Sequence, residues 1–339
     1  MDNLTHTLTA VALSHAGLHR KTRFATLTLI AAANLPDIDL LARFWGSAAY
    51  LKYHRGYTHS ILGVSLLAFL LAWTIYFLGT KAKAKPGPPL SLGWLLGLAW
   101  IGTAGHLLMD FTNSYGVRPF LPFSGRWYAW DLMFILDPLL LLLLCLGLGL
   151  PTLLRLVSEE VGARRSRPAY GAVFSLCALL FLWGLRDVTH RRVLGFLEDH
   201  TYSDQNPLRV GAFPSPFNPF AWMGVVETDT TYEVLPASAL ENDVDPRSAL
   251  QFHKPQASPA LDAALATRTG RIFMDFARFP WAQTEESDEG FDVQIRDLRF
   301  YSINGGGSLA EIKLDKALRV SSESFSFTGR RVEESRVEK

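Results

Sequence analysis

Apolar positions crowd into the first 190 residues, and the pattern changes after them. Four runs are almost continuous: Ser60 to Leu78 (SILGVSLLAFLLAWTIYFL), Leu92 to Met109 (LGWLLGLAWIGTAGHLLM), Leu132 to Leu150 (LMFILDPLLLLLLCLGLGL) and Tyr170 to Leu185 (YGAVFSLCALLFLWGL). A helix needs about 20 mostly apolar residues to cross a bilayer. One such run fits a buried core helix, but four close together predict integral membrane helices. Two shorter stretches, LTAVALSHAGL and FATLTLIAAANL, precede them and are joined by HRKTR. They predict a helical hairpin dipping into the membrane, or two short or tilted spans.

After residue 190 the periodicity becomes that of strands. WMGVVETDTTYEV, FDVQIRDLRFYSI and SLAEIKLDKALRV are rich in β-formers and alternate, so they predict strands, with INGGGS as a turn. LDAALATRTGRIFMDFARFPW predicts a helix, and RDVTHRRVLGFLED a helix leaving the membrane. The expected organisation is a membrane domain over 1–190, a Pro- and aromatic-rich linker over 191–222, a soluble α+β or β-rich domain over 223–329 and a disordered tail over 330–339. In the linker, Phe213, Phe217, Phe220 and Trp222 fit either the headgroup level or the underside of the soluble domain.

Charge adds an orientation. The net charge is +1, which excludes a strongly basic nucleic-acid binder. Lys and Arg collect in three connections: Arg20, Lys21 and Arg23; Lys81, Lys83 and Lys85; and Arg155, Arg164, Arg165 and Arg167. With the segments drawn above, all three fall on one side, which the positive-inside rule makes cytoplasmic. The opposite side then receives the C-terminal domain. Cys145 and Cys177 both lie in apolar runs, so no disulfide framework is expected. The start MDNLTHTLTA lacks a basic region before its apolar stretch, so no cleavable signal peptide is expected.

The non-basic side gathers ionisable groups from five stretches of chain. They are His6; Asp37 and Asp39 in NLPDID; His54 and His59 in HRGYTHS; His106 and Asp110 in GHLLMD; and Asp131 and Asp137 in WDLMFILDP. Such groups are costly at a membrane and usually functional. His and Asp together ligate Zn²⁺ and similar ions. His106 and Asp110 are spaced i,i+4 and share a helix face. Asp37 and Asp39 follow Pro36, where an extended chain points both the same way. Gly56 permits a turn that converges His54 and His59. Each piece alone has a plainer reading: PDID as a helix cap, Asp137 before Pro138 as another cap, Arg55 as an interfacial arginine rather than an anion ligand. The set as a whole predicts a metal site. His15 and His19 run toward the basic turn and fit a structural role, while His190 and His200 are weaker candidates.

These motifs, in this order, resemble the membrane-bound metal-dependent hydrolase family: TH at 5–6, NLPDID at 34–39, HRGYTHS at 54–60, GHLLMD at 105–110 and WDLMFILDP at 130–138. The family comprises inner-membrane proteins first grouped as a domain of unknown function. A more remote similarity is to zinc-dependent phospholipase C, although a His-x-x-x-Glu helix after Asp110 is missing. The resemblance implies a hydrolase in a bacterial inner membrane. His6, Asp37, Asp39, His54, His59, His106 and Asp110 would bind one or two divalent ions, zinc first and manganese or iron next. Asp131 would be the general base and Arg55 would meet an anion. The substrate would be a lipid or lipid-linked phosphoester or acyl ester, met on the extracytoplasmic side. Two other functions fit the same residues: a non-catalytic metal-binding scaffold or sensor in envelope stress, and a metal or proton transporter. The sequence assigns no nucleic-acid partner and no oligomeric state.

Overall fold

A computed structural model of the chain describes residues 1–83, 86–161, 168–301 and 307–327. Lys85, Arg164, Arg165, Arg167, most of the INGGGS turn and the tail 330–339 lie outside them. The chain forms two compact units. One comprises Met1–Leu40, Arg55–Arg191 and Pro214–Ala221; the other comprises Leu41–His54, Arg192–Phe213 and the chain from Trp222 on.

The first unit is helical. Its helices are α1 (Asn3–His15), α2 (Ala25–Asn34), α4 (Ile61–Lys81), α5 (Leu92–Phe111), α6 (Pro138–Val161) and the first part of α7 (Pro168–Glu198). Their starts are written in the sequence. Asp2 accepts from Thr5 N, Ser60 from Gly63 N and Ser91 from Trp94 N, so each caps the helix that follows it. Among the described residues, four segments are long and apolar enough to cross a membrane: Ala25–Trp45, Ile61–Lys81, Leu92–Phe111 and Ala169–Glu198.

Two spans differ from the sequence reading. FATLTLIAAANL, expected to be too short, is extended by a 3₁₀ helix over Leu35–Trp45 and reaches spanning length. The run Leu132–Leu150 is not one helix. Its first residues are not helical, and α6 begins at Pro138, with Asp137 Oδ1 accepting from Leu140 N at 2.9 Å. A proline with a preset φ after a capping aspartate starts a helix rather than continuing one. The apolar part of α6, Pro138–Pro151, is correspondingly shorter.

α2 and α5 run parallel, and α4 runs antiparallel to both. At one end Arg23 Nη2 donates to Lys83 O and Thr22 Oγ1 to Pro89 O, which joins the two basic turns. At the other end lie Asp37, His59 and Asp110. α2 and α5 pack closely because Ala32 faces Gly102: a Cβ at Gly102 would come within 2.5 Å of Ala32 Cβ. Close approach of small residues is how membrane helices gain packing without a hydrophobic driving force.

The second unit holds α3 (Ser47–Tyr53), two short helices and two antiparallel four-stranded sheets. Both sheets are meanders. One is β1 (Arg209–Pro214), β2 (Ala221–Glu227), β3 (Thr231–Ser238) and β4 (Leu250–His253); the other is β5 (Pro280–Ser287), β6 (Gly290–Asp297), β7 (Ser308–Asp315) and β8 (Val320–Ser326). The three strand predictions fall on β2 with β3, on β6 and on β7. The stretch read as a linker contains β1 and the end of α7. Its Phe213 and Trp222 are buried, whereas Phe217 is exposed. The helix expected over LDAALATRTGRIFMDFARFPW is two, α8 (Pro259–Ala266) and α9 (Arg268–Phe276). Thr267 is extended between them and caps α9 by accepting from Gly270 N at 3.0 Å.

Candidate metal centre

Asp37, His59, His106 and Asp110 are all buried, and each offers a ligand atom within 4.8 Å of the others. Three elements deliver them. Asp37 stands on the 3₁₀ continuation of α2, His59 on a single turn before α4, and His106 with Asp110 on one face of α5. The i,i+4 spacing does what the sequence predicts: His106 Nε2 lies 3.4 Å from Asp110 Oδ2.

The outer nitrogens of both histidines are committed. His106 Nδ1 is 2.7 Å from Ala33 O, a carbonyl in the last turn of α2, which puts the proton on Nδ1. His59 Nδ1 faces Asp39 Oδ2 at 3.1 Å and Thr58 Oγ1 at 3.0 Å. Asp39 Oδ2 also accepts from Thr58 Oγ1 and Arg55 N. Both Nε2 lone pairs therefore turn inward, and the two atoms are 3.0 Å apart. Two lone pairs that close repel unless a cation lies between them and the carboxylates. Asp37 Oδ1 is 3.5 Å from His59 Nε2 and 3.6 Å from His106 Nε2, on the same inner side. A carboxylate or carbonyl behind a histidine is the usual support for a metal-binding imidazole.

His6 flanks this group. Its ring stacks on His106 with centroids 3.9 Å apart, and its Nε2 is 3.3 Å from Asp110 Oδ1. Neither His6 nitrogen, nor Asp110 Oδ2, has a hydrogen-bond partner, although all are buried. Buried polar atoms are rarely left so. Orphaned nitrogens and a carboxylate oxygen beside two inward lone pairs fit a divalent ion, and a His/Asp set suits zinc, manganese or iron.

The other predicted residues lie outside this group of four. Asp39 stands behind His59 and orients it. Arg55 is buried and does not reach outward to the interface. Its Nη1 donates to Asn113 Oδ1 at 2.8 Å and its Nη2 to Asp110 Oδ1 at 3.0 Å, with the guanidinium over the Tyr115 ring. Its backbone is left-handed, with φ 56°, a conformation costly for a non-glycine residue and common at functional sites. Asp110 Oδ1 is also contacted by the Met1 ammonium. His54 belongs to the second unit, where its ring stacks on Tyr50 at 4.7 Å. Asp131 is buried but is not one of the four. Its neighbours Trp130 and Leu132 donate to the carbonyls of Phe111 and Thr112, so it sits just beyond Asp110. Asp137 pairs with Arg186 at 2.8 Å and supplies no ligand to the four. His200 pairs with Asp243 in the second unit. His19 Nδ1 donates locally to Ser14 O, 2.7 Å away.

The motif order and the membrane helices can now be set beside known proteins. A family model described as YdjM inner membrane protein matches residues 1–190. The chain belongs to the YdjM inner membrane protein family. It is similar to an uncharacterised protein, YfhP, from Bacillus subtilis (strain 168), with 30% identity over 149 residues. That alignment covers 41% of this chain and 42% of the relative. No solved structure matches the chain. Membership of the YdjM family places the protein in the inner membrane, in accord with its apolar helices. All four converging residues lie inside the YdjM match.

Two functional-looking residues escaped the sequence reading. Asn113 is fully buried and holds Arg55. Its only signal was position, three residues after Asp110 and on the same side of the membrane. Arg186 is fully buried among apolar residues. A charge one residue past an apolar run reads as the end of a span, but the helix continues.

Proposed function

We propose that this protein is a membrane-bound, metal-dependent hydrolase that cleaves an ester of a lipid-like substrate at the extracytoplasmic face of the inner membrane. The observation carrying this reading is the inward convergence of His59 Nε2, His106 Nε2, Asp37 and Asp110, with both histidines fixed from behind. A bound divalent cation would lower the pKa of water toward 7 and polarise the ester oxygen. The chain's residues do the rest. Asp39 and Ala33 O hold the imidazoles in one tautomer. Arg55 anchors Asp110. Asp131 is a buried carboxylate outside the four ligands and outside the Arg186 pair, so it is assigned the proton from the attacking water. The orientation rests on the joined basic turns 19–23 and 81–83, at the opposite end of the helices from the cluster.

The test uses metal-replete protein in detergent with short-chain phosphodiester and carboxylester lipids. Turnover in wild type, abolished in Asp131→Asn with metal content unchanged, supports the assignment. Turnover that survives complete chelation contradicts it.

One feature favours a second reading. Four protein ligands saturate a tetrahedral ion, as in structural sites, whereas catalytic sites keep a position open. A scaffold or sensor would then use the ion to tie α2, the 57–59 turn and α5 together. Metal that resists chelation in the folded protein, with no ester turnover, would select that reading.

A further inference from the structure

We infer that the buried groups beside the metal cluster form a phosphoryl-oxygen subsite, in which the Asn113 side-chain amide binds an anionic phosphate group next to Arg55. The inference rests on the metal-site reading and names the class of its ligand.

The key observation is the state of Asn113. Its Oδ1 accepts twice, from Arg55 Nη1 at 2.8 Å and from Tyr115 N at 2.9 Å. Both lone pairs are used, which fixes which end of the amide is oxygen. The Nδ2 group therefore presents two N–H donors, and it has no hydrogen-bond partner. The residue is fully buried, with 0% exposure. A buried amide held this rigidly awaits an acceptor.

Its neighbourhood says which acceptor. Asn113 is joined through Arg55 to Asp110, whose other oxygen belongs to the four-ligand cluster. Arg118 donates its backbone N–H to Arg55 O and lays its guanidinium over Trp127. Tyr115, under Arg55, meets the same Trp127 edge-on. The loop Asn113 to Arg118 thus brings one buried arginine and a buried amide against a second buried arginine, Arg55, beside the cluster. A carboxylic ester is neutral and offers one weak acceptor, too little to match this donor set. A phosphate ester is anionic and offers several strong acceptors in the geometry that guanidinium and amide groups recognise. The donor set therefore points to a phosphate monoester or diester. Such a group is carried by a lipid headgroup or by free phosphate.

Inorganic phosphate and dihexanoyl phosphatidic acid are the probes. Each is titrated by calorimetry into metal-loaded protein in detergent, with metal content measured on the same samples. Asn113→Asp keeps both Oδ1 bonds, so the loop stays anchored, but it replaces the donors with a carboxylate. The inference predicts binding of both probes in wild type and at least a tenfold loss in Asn113→Asp, with metal content unchanged. Tighter binding of the lipid would identify the headgroup as the source; tighter binding of inorganic phosphate would identify a soluble ligand. Either order supports the subsite. Wild-type protein that holds metal and binds neither probe overturns it, as does equal binding by Asn113→Asp. A wild-type protein that holds no metal fails the site reading instead, and the metal measurement separates the two cases. Asn113→Ala is the second variant. Should Asn113→Asp unfold, the same tenfold loss in folded Asn113→Ala supports the subsite and unchanged binding overturns it.

Discussion

His59 and His106 show how little freedom the cluster has. Each imidazole is pinned at Nδ1, one by Asp39 and one by a helix-end carbonyl, so that Nε2 points inward. Removing such a support typically weakens metal binding by about 10–100-fold, whereas removing a ligand abolishes it. Asp39→Asn is therefore expected to lower metal affinity by about that factor and leave stoichiometry intact at saturating metal. His106→Ala should lose the ion at any practical concentration. Competition with a chromogenic chelator reads both, and equal behaviour of the two variants would refute the division of roles. Much of this was legible beforehand. His106 with Asp110 follows from helical spacing alone. That Asp39 also faces His59 Nδ1 was not legible: the chain after Pro36 is 3₁₀-helical rather than extended, and Asp37 faces Nε2 of that ring while Asp39 faces Nδ1.

Packing of helices, rather than any single ligand, brings the cluster together. α2 reaches α5 closely enough for Ala33 O to meet His106 only because residue 102 is glycine. Gly102→Leu should force the helices apart, at an overpacking cost of about 1–3 kcal/mol. The readout is reduced metal retention in a protein that still inserts in the membrane; unchanged retention would show that the contact does not position the site. The Asp137–Arg186 pair makes a second prediction for α6 and α7. Each single change to leucine leaves a buried charge without its partner and should cost about 3–5 kcal/mol, while the double change should recover most of that loss. Thermal unfolding in detergent, followed for all three variants, checks the pattern, and additive losses would contradict it. The sequence pointed to capping by Asp137, from the following proline, but could not show that a charge from α7 would close the pair.

Across the molecule, two kinds of order coexist, a helical membrane unit and a unit of two antiparallel meanders. Hydropathy separated them because the bilayer demands long apolar runs, while the sheets need alternation. It failed at Leu132–Leu150, where composition is apolar but the first residues are not helical. It also missed β4, which is short, β1 and β5, which contain proline at an end, and β8, whose VSSESFS is mostly polar. The second unit gives a pH prediction. Burial raises the Glu227 carboxyl, but the Lys254 hydrogen bond and Arg209 outweigh it and hold it below its usual value. A lowered folded-state pKa contributes stability above the unfolded carboxylate range and loses it as pH falls through the folded value. Wild type should therefore exceed Glu227→Gln in thermal midpoint at neutral pH, and the gap should close in acid. A gap constant from neutral to strongly acidic pH would contradict the assignment. Topology is tested at the same scale: an alkaline phosphatase fused after residue 327 should be active, and an inactive fusion with a folded, membrane-inserted partner would reverse the orientation. The central claim, however, is that the buried Asp–His cluster holds a metal ion. Elemental mass spectrometry of detergent-purified protein tests it most directly, comparing wild type with Asp110→Ala. The account predicts at least one equivalent of a divalent transition metal per chain in wild type and a loss of that metal in the variant. Wild-type protein that stays metal-free after reconstitution, or a variant that keeps its metal, would contradict it.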